Sequence, residues 1–283
     1  MKLEPVAIVT GATRGIGKSI VERLSLHGVN CVGIGSSMRS ISNEELRRSM
    51  KHVSKNQRHR LLAIDFSEWP TWVDSKREFQ GIEYCANGRE EVGDFKIFDM
   101  LKSWNSQDKE VRYYLSLLIN CAGITQESLS IRTDSAEMKN IMNINLLSPV
   151  SMCNLTIKNM IKDRKTIGAD KPRYILNVSS VLGKPKVYLP GTSLYSASKA
   201  GLGQYSNVLE QEVSKYGIIT KSVQLGPIQD TDMVQNLKSN GIQLDEFAKR
   251  LGIPVSTKAE ATRLILDEYL EKLLESGQVS GTV

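Results

Sequence analysis

The side chains that most often bind metals are scarce: this chain of 283 residues has four cysteines and three histidines. Cys31, Cys85, Cys121 and Cys153 are scattered and form no C-x-x-C pair, which argues against a zinc site or a disulfide framework. Free, mostly buried thiols in a reducing compartment are the expectation, with no metal. His27, His52 and His59 stand beside no candidate nucleophile. No apolar run approaches the ~20 residues of a membrane span, so no membrane segment is expected. A secretory signal, internal repeats and low-complexity linkers are also missing. The first strand starts by about Pro5, which leaves no room for a cleaved, arginine-rich presequence. The net charge of +6 suits an acidic protein partner, a phosphorylated ligand or nucleic acid without choosing among them.

What is present is an alternation of short apolar runs with helical stretches, the pattern of a parallel sheet covered on both faces. Strands are expected at Val6–Val9, Cys31–Ile34, Leu61–Ile64, Leu117–Asn120, Tyr174–Val178 and Thr220–Leu225. Ile16, Ile20 and Leu24 mark the apolar stripe of the first helix. A long helix is expected from about Asp134 to Lys162, broken near Pro149, and an amphipathic one over Leu264–Leu274. Ser67 to Ser116 breaks the rhythm: it is too long for one crossover helix, and it holds all three tryptophans and the polar run Asn87–Glu91. It reads as a crossover helix preceded by an inserted, partly ordered loop at about 67–105. The expected fold is one α/β domain over 1–283, doubly wound.

Chemistry-bearing residues fall at the strand ends. The first strand runs into Thr10-Gly-Ala-Thr-Arg-Gly-Ile-Gly17, which opens a helix. Gly11, Gly15 and Gly17 permit a tight turn, so the backbone of Thr13, Arg14 and Ile16 can approach a pyrophosphate at the helix N-terminus. The second strand end, Gly35-Ser-Ser-Met-Arg39, lacks the acid that would hold the ribose hydroxyls of NAD. Ser36 and Ser37 can bond a 2′-phosphate there, with charge from Arg14 and from Arg39 unless Arg39 is a solvated loop residue. NADPH is therefore expected over NADH. Asp65 could accept from the adenine amino group beside Phe66. Asn120-Cys-Ala-Gly123 follows the fourth strand, where Ala122 and Gly123 leave space for a cofactor and Asn120 is either a site residue or a turn residue.

The fifth strand ends in Asn177-Val-Ser-Ser180, which directs the Ser180 hydroxyl toward the ligand crevice. Tyr195 and Lys199, four residues apart, share one face of a helix over Ser193–Tyr216. The lysine charge is expected to lower the phenol from its usual ~10 and make it a proton donor near neutral pH.

The order T-G-x-x-x-G-x-G, N-x-A-G, N-x-S-S, Y-x-x-x-K resembles the short-chain dehydrogenase/reductase family along nearly the whole chain. The resemblance implies a Rossmann fold, NADP(H) and a tetrad of Asn145, Ser180, Tyr195 and Lys199. In it Ser180 polarises a carbonyl, Tyr195 transfers the proton, Lys199 binds the nicotinamide ribose and Asn145 holds a water. Ile228 and Thr231 are expected to line the cofactor site, and 230–252 to form a substrate lid.

Within the family, Asn120–Leu129 and Asp230-Thr-Asp-Met233 are similar to 3-oxoacyl-(acyl-carrier-protein) reductases, and the insert to the fungal mitochondrial type. This implies an acidic acyl carrier protein as partner, a matrix location (cytoplasm being the alternative), and a dimer or tetramer. Nucleic acid is not an expected partner. Lys165, Lys171, Arg173 and Lys215 are candidates for a basic rim that steers the carrier. Three features depart from the family pattern: Gly226-Pro227 in reversed order, a longer Ser180–Tyr195 spacing through Lys184-Pro-Lys, and a final strand at Ser280–Val283 expected to be short or missing. A reductase of another small ketone, sugar or steroid, and a non-catalytic dinucleotide-binding scaffold, are the competing readings.

Overall fold

The computed structural model describes residues 1–276 except 75, 108, 127, 230, 240–245, 247, 250 and 251. Eight strands form one sheet: β1 (Lys2–Thr10), β2 (Asn30–Gly35), β3 (Arg58–Ala63), β4 (Phe79–Cys85), β5 (Glu90–Phe95), β6 (Val111–Asn120), β7 (Tyr174–Ser180) and β8 (Ile219–Leu225). Their order is β5-β4-β3-β2-β1-β6-β7-β8. The six strands from β3 to β8 in that order are parallel, and β4 and β5 run antiparallel at one edge.

Both faces are covered, so the central strands are apolar on both sides. Along β1, Ala7 and Val9 enter one core while Val6 and Ile8 enter the other, the period-two alternation of a strand. The first face carries α1 (Gly15–Leu26), the short α2 (Met38–Ile41) and α3 (Glu44–Ser49), and a helix near the C-terminus. The second face carries α4 (Met100–Gln107), α6 (Ser148–Ile167) and α7 (Ser193–Val213), with α5 (Ser135–Met142) packed against α7. The chain closes with α8 (Asp232–Ser239) and the C-terminal α9 (Lys258–Glu275), which Thr257 and Glu260 start with a reciprocal capping box. No helix among the described residues is long and apolar enough to cross a membrane.

One expectation changes. The stretch after β3 is a β-hairpin rather than a partly ordered loop. Phe79 pairs with Phe95 and Tyr84 with Glu90, which widens the sheet, and α4 then returns the chain. Arg60 of β3 is 1% exposed and donates to Glu83 of β4 through Nε (2.9 Å) and Nη2 (2.6 Å). Asp99 also accepts from Arg60, and Trp104 Nε1 donates to Glu83 at 2.8 Å. Trp69 and Trp72 donate to Ser151 and Ser148 of α6, so each of the three indoles has a partner. As expected, the long helix after Asp134 is interrupted near Pro149, by a π-helical turn at Asn143–Leu147. Pro149 sits in the first turn of α6 and has no N–H to offer the carbonyl of Asn145 four residues back. The expected short final strand lies outside the described residues; among those described, β8 is the sheet edge.

Candidate active site

From β1 the chain builds outward to β2 and β3, then crosses to β6, β7 and β8 on the other side. The carboxyl ends of β1 and β6 flank this switch point, where an open α/β sheet forms its crevice. A cavity of about 360 Å³ lies there. Gly11 (φ +67°) and Gly15 (φ +55°) turn the chain, and a Cβ on Gly17 would lie 2.1 Å from the carbonyl oxygen of Gly11. The first N–H groups of α1 have no side-chain cap, and its first turn holds no acid. An uncapped, acid-free helix start facing a cavity fits a pyrophosphate. Thr10 Oγ1 accepts from the N–H groups of Cys121 and Ala122 at 3.0 Å each, which locks the two strand ends together.

Gly11, Thr13, Arg14, Gly15, Ile16 and Gly17 all line the cavity, as do Ser36, Asp65 and Phe66. Ala122, Gly123, Ile228 and Thr231 line it as well. Asp65 also caps a short 3-10 turn by accepting from Ser67 N at 2.9 Å.

Two expected cofactor residues lie elsewhere. Ser37 caps α2 in a reciprocal box with Ser40, its hydroxyl oxygen accepting from Ser40 N at 3.3 Å, and it is not part of the cavity wall. Asn120 is 1% exposed and points into the sheet, its amide donating to Asn177 Oδ1 at 2.8 Å. The strand end of Asn120 faces the crevice, but its side chain does not. Arg39 is exposed on α2 and is not part of the cavity wall. Arg14 donates to Asp232 at the start of α8.

Ser180, Tyr195 and Lys199 converge at the inner end of the cavity. The Ser180 hydroxyl accepts from Leu182 N at 3.2 Å and lines the cavity together with the Tyr195 phenol, whose pKa it lowers. Lys199 Nζ donates to the Val178 carbonyl at 2.9 Å and stands 5.9 Å from the centre of the Tyr195 ring. Burial raises the Tyr195 pKa above its usual value, and the Ser180 hydrogen bond offsets this only in part. Burial also lowers Lys199 to about 8. The expected lowering of Tyr195 by Lys199 is thus reversed here: a buried phenol pays more for its charge than the distant ammonium returns.

Asn145 is fully buried; it accepts from Ile124 N and donates to Ile124 O, both at 2.9 Å, and donates to Ser198 Oγ at 3.2 Å. Its side chain braces the site, and its carbonyl is the one Pro149 leaves without an α-helical donor. Asn143 points the other way, to the carbonyl of Ser67 at 2.7 Å.

Pro227 lines the opposite wall. Its carbonyl accepts from Ser256 N at 3.0 Å, and Gln229 N donates to Ser256 O at 2.9 Å, so the wall is fixed by a short parallel bridge. Met233 and Val234 of α8 close the cavity from above, while much of the remaining lid at 230–252 lies outside the described residues.

The expected basic rim is misplaced. Lys165, Lys171 and Arg173 precede β7, and Lys215 follows α7. They therefore sit at the amino end of the strands, about 20 Å from Ser180 along β7. Arg173 is 1% exposed and donates to the carbonyls of Lys171 and Gly168. Lys184 and Lys186 are instead exposed on the loop between β7 and α7, at the carboxyl end of the strand that carries Ser180. The same loop turns Val187 and Leu189 inward against Leu182 and Tyr195. Gln126, Asp232, Met233 and Lys258 belong to the site or its frame; the first three fall within the reductase-like stretches Asn120–Leu129 and Asp230–Met233, which give no role to the single residues, and Lys258 lies in no motif.

A dinucleotide cleft that ends on Ser180, Tyr195 and Lys199 defines an oxidoreductase. The pattern of the family described as short chain dehydrogenase matches residues 93–241, and the chain belongs to that family. It is 31% identical to 3-oxoacyl-(acyl-carrier-protein) reductase FabG of Chlamydia muridarum, over 98% of this chain and 93% of that protein. It is also 31% identical to carbonyl reductase family member 4 of Xenopus laevis, over 95% of this chain and 94% of that one. A short-chain dehydrogenase from Sphingobium yanoikuyae in complex with NADPH shares the fold at a TM-score of 0.63 and 18% identity, covering 95% of this chain and 85% of that one.

Proposed function

We propose that the protein reduces the 3-oxo group of an acyl thioester on an acyl carrier protein, using NADPH. The observation that carries this reading is the Ser180–Tyr195–Lys199 cluster beside an apolar wall of Leu182, Val187, Leu189 and Met233, which suits an acyl chain. The relatives named as 3-oxoacyl-(acyl-carrier-protein) reductases support it. NADPH over NADH is supported by Arg14 and Ser36 at a strand end without an acid.

The glycine turn and the start of α1 would hold the pyrophosphate, and Lys199 the nicotinamide ribose. NADPH bound there supplies the hydride that goes to C3. Ser180 donates a hydrogen bond to the ketone oxygen, and Tyr195 gives up its phenolic proton to the same oxygen as negative charge develops. The Tyr195 pKa, held up by burial, keeps that proton in place until the reaction needs it. Lys199 stabilises the phenolate left behind, and the Asn145 carbonyl holds a water that returns the proton. The carrier, an acidic protein, approaches over Lys184 and Lys186.

Turnover of NADPH and NADH with acetoacetyl groups on carrier protein, on coenzyme A and on simple ketones tests this reading. Tyr195→Phe serves as the control. Carrier-bound substrate should be reduced best, with NADPH, and the variant should lose about 10²–10⁴-fold. Efficient reduction of simple ketones with the carrier substrate ignored would move the protein to carbonyl reduction. Equal rates for wild type and Tyr195→Phe would remove the proposed chemistry.

A further inference from the structure

The first turn of α7 carries the reacting phenol, yet the helix starts without a cap of its own. Thr192 at the N-cap makes no side-chain bond to the helix backbone; its hydroxyl donates to Leu189 O at 2.7 Å instead. The opening N–H groups of a helix need acceptors. Here they come from Gln126, on the loop after β6. Its Oε1 accepts from Leu194 N at 2.7 Å and from Tyr195 N at 3.4 Å.

Gln126 is fully buried and its amide has one possible orientation. The two helix N–H groups can only donate, so the oxygen must face them. The nitrogen end donates to Ser128 O at 2.9 Å and to Thr133 Oγ1 at 3.0 Å. Thr133 Oγ1 is held in turn at Leu129 O (3.2 Å), and Ser128 Oγ lies 3.3 Å from the Glu137 carboxylate at the start of α5. The loop that supplies Ala122 and Gly123 to the cleft is thereby bolted to the residue that delivers the proton.

Other ties hold the next turn of α7. Asn145 bonds Ser198, Ser179 Oγ donates to Lys199 O at 2.8 Å, and Lys199 reaches Val178. These fix the Lys199 end of the pair. Gln126 fixes the Tyr195 end, at the peptide nitrogen from which that side chain departs.

We propose that Gln126 is a positioning residue for Tyr195, acting as a side-chain cap on α7 supplied from a different strand end. Without it the first turn frays, and the phenol drifts from Ser180 while the cofactor cleft stays intact. A displacement of about 1 Å at a reacting group costs about a hundredfold in rate. The proposal rests on Tyr195 being the proton donor.

The test compares Gln126→Met, which keeps the volume and loses the amide, with Gln126→Glu, which keeps an acceptor facing Leu194 and Tyr195. Steady-state kinetics with NADPH and acetoacetyl carrier protein are run beside melting temperatures. Gln126→Met should lower kcat about tenfold or more with the NADPH KM near that of wild type, and Gln126→Glu, which keeps the acceptor but loses both bonds of the amide nitrogen, should recover part of the loss. Wild-type kcat in Gln126→Met would overturn the proposal. So would equal losses in both variants, with kcat and KM changing together in step with melting temperature. If Gln126→Met does not fold, Thr133→Val, which removes one anchor of the amide, should lower kcat about fivefold; wild-type kcat there overturns it. Tyr195→Phe is assayed in parallel: if it retains activity, the reading of Tyr195 as proton donor has failed, not the capping by Gln126.

Discussion

Arg14 and Asp232 meet across the mouth of the cleft, Nη1 of one 2.6 Å from Oδ2 of the other. One comes from the glycine turn and the other opens α8, so the phosphate-binding loop and the first helix of the lid share a single ion pair. Both side chains are largely exposed, which limits the pair to about 1 kcal/mol. A cofactor 2′-phosphate would compete with Asp232 for the same guanidinium. Asp232→Asn is expected to tighten NADPH binding by up to about fivefold and to leave NADH unchanged. Arg14→Ala should weaken NADPH by about tenfold or more. Fluorescence titration at two salt concentrations measures both, and weaker NADPH binding by Asp232→Asn would refute the competition.

Lys199 gives a pH signature with a definite sign. Burial lowers it to about 8 in the folded chain, against ~10.4 when unfolded. Between these values the unfolded chain holds a proton that the folded chain lacks, so this group makes stability rise with pH across that window. Below about 8 both states are protonated and the buried charge is a constant penalty. Cofactor-free Lys199→Met should therefore melt above wild type at pH 7, the gap closing from pH 8 to 10. Its kcat should fall about a hundredfold. In wild type, reduction should decline as pH passes about 8, because Lys199 loses its charge there while Tyr195 stays protonated. A melting gap independent of pH would contradict this.

Lys184 and Lys186 flank the loop that packs on Tyr195. Reversing both to glutamate is expected to raise the KM for carrier-bound substrate about tenfold at low salt. An uncharged acetoacetyl thioester of N-acetylcysteamine should be reduced as before. A similar rise for both substrates would point to a disturbed loop rather than lost steering.

The Arg60–Glu83 pair is almost completely buried under the hairpin. Removing one partner strands the other, which costs about 3–5 kcal/mol. Glu83→Gln or Arg60→Leu should shift the denaturation midpoint strongly while the NADPH KM stays constant, since the pair lies away from the cleft.

Five of the parallel strands were legible as short apolar runs buried on both faces, while the edge strand β8 is partly exposed. The hairpin was not. Glu90, Glu91 and Asp94 read as solvated chain, and what makes β5 a strand is its pairing with β4 and the Arg60–Glu83–Trp104 cluster beneath it. Strand ends could be placed from motifs, but side-chain directions could not, so Asn120 and Ser37 were assigned to a cavity they do not line. The basic rim failed for a topological reason: in parallel strands every residue preceding β7 lies at the end remote from Ser180. The sign of the Tyr195 shift depends on burial, which spacing does not encode. Gln126 lies in the Asn120–Leu129 stretch, but its role exists only once α7 docks against the loop after β6.

The hairpin also bears on self-assembly. An outermost strand offers unpaired backbone groups to any passing strand, including one from another copy. Here the outermost strand β5 exposes Glu90, Glu91 and Asp94 along its six residues. A second copy laid edge to edge would bring those carboxylates together, so sheet-to-sheet growth is disfavoured on this side.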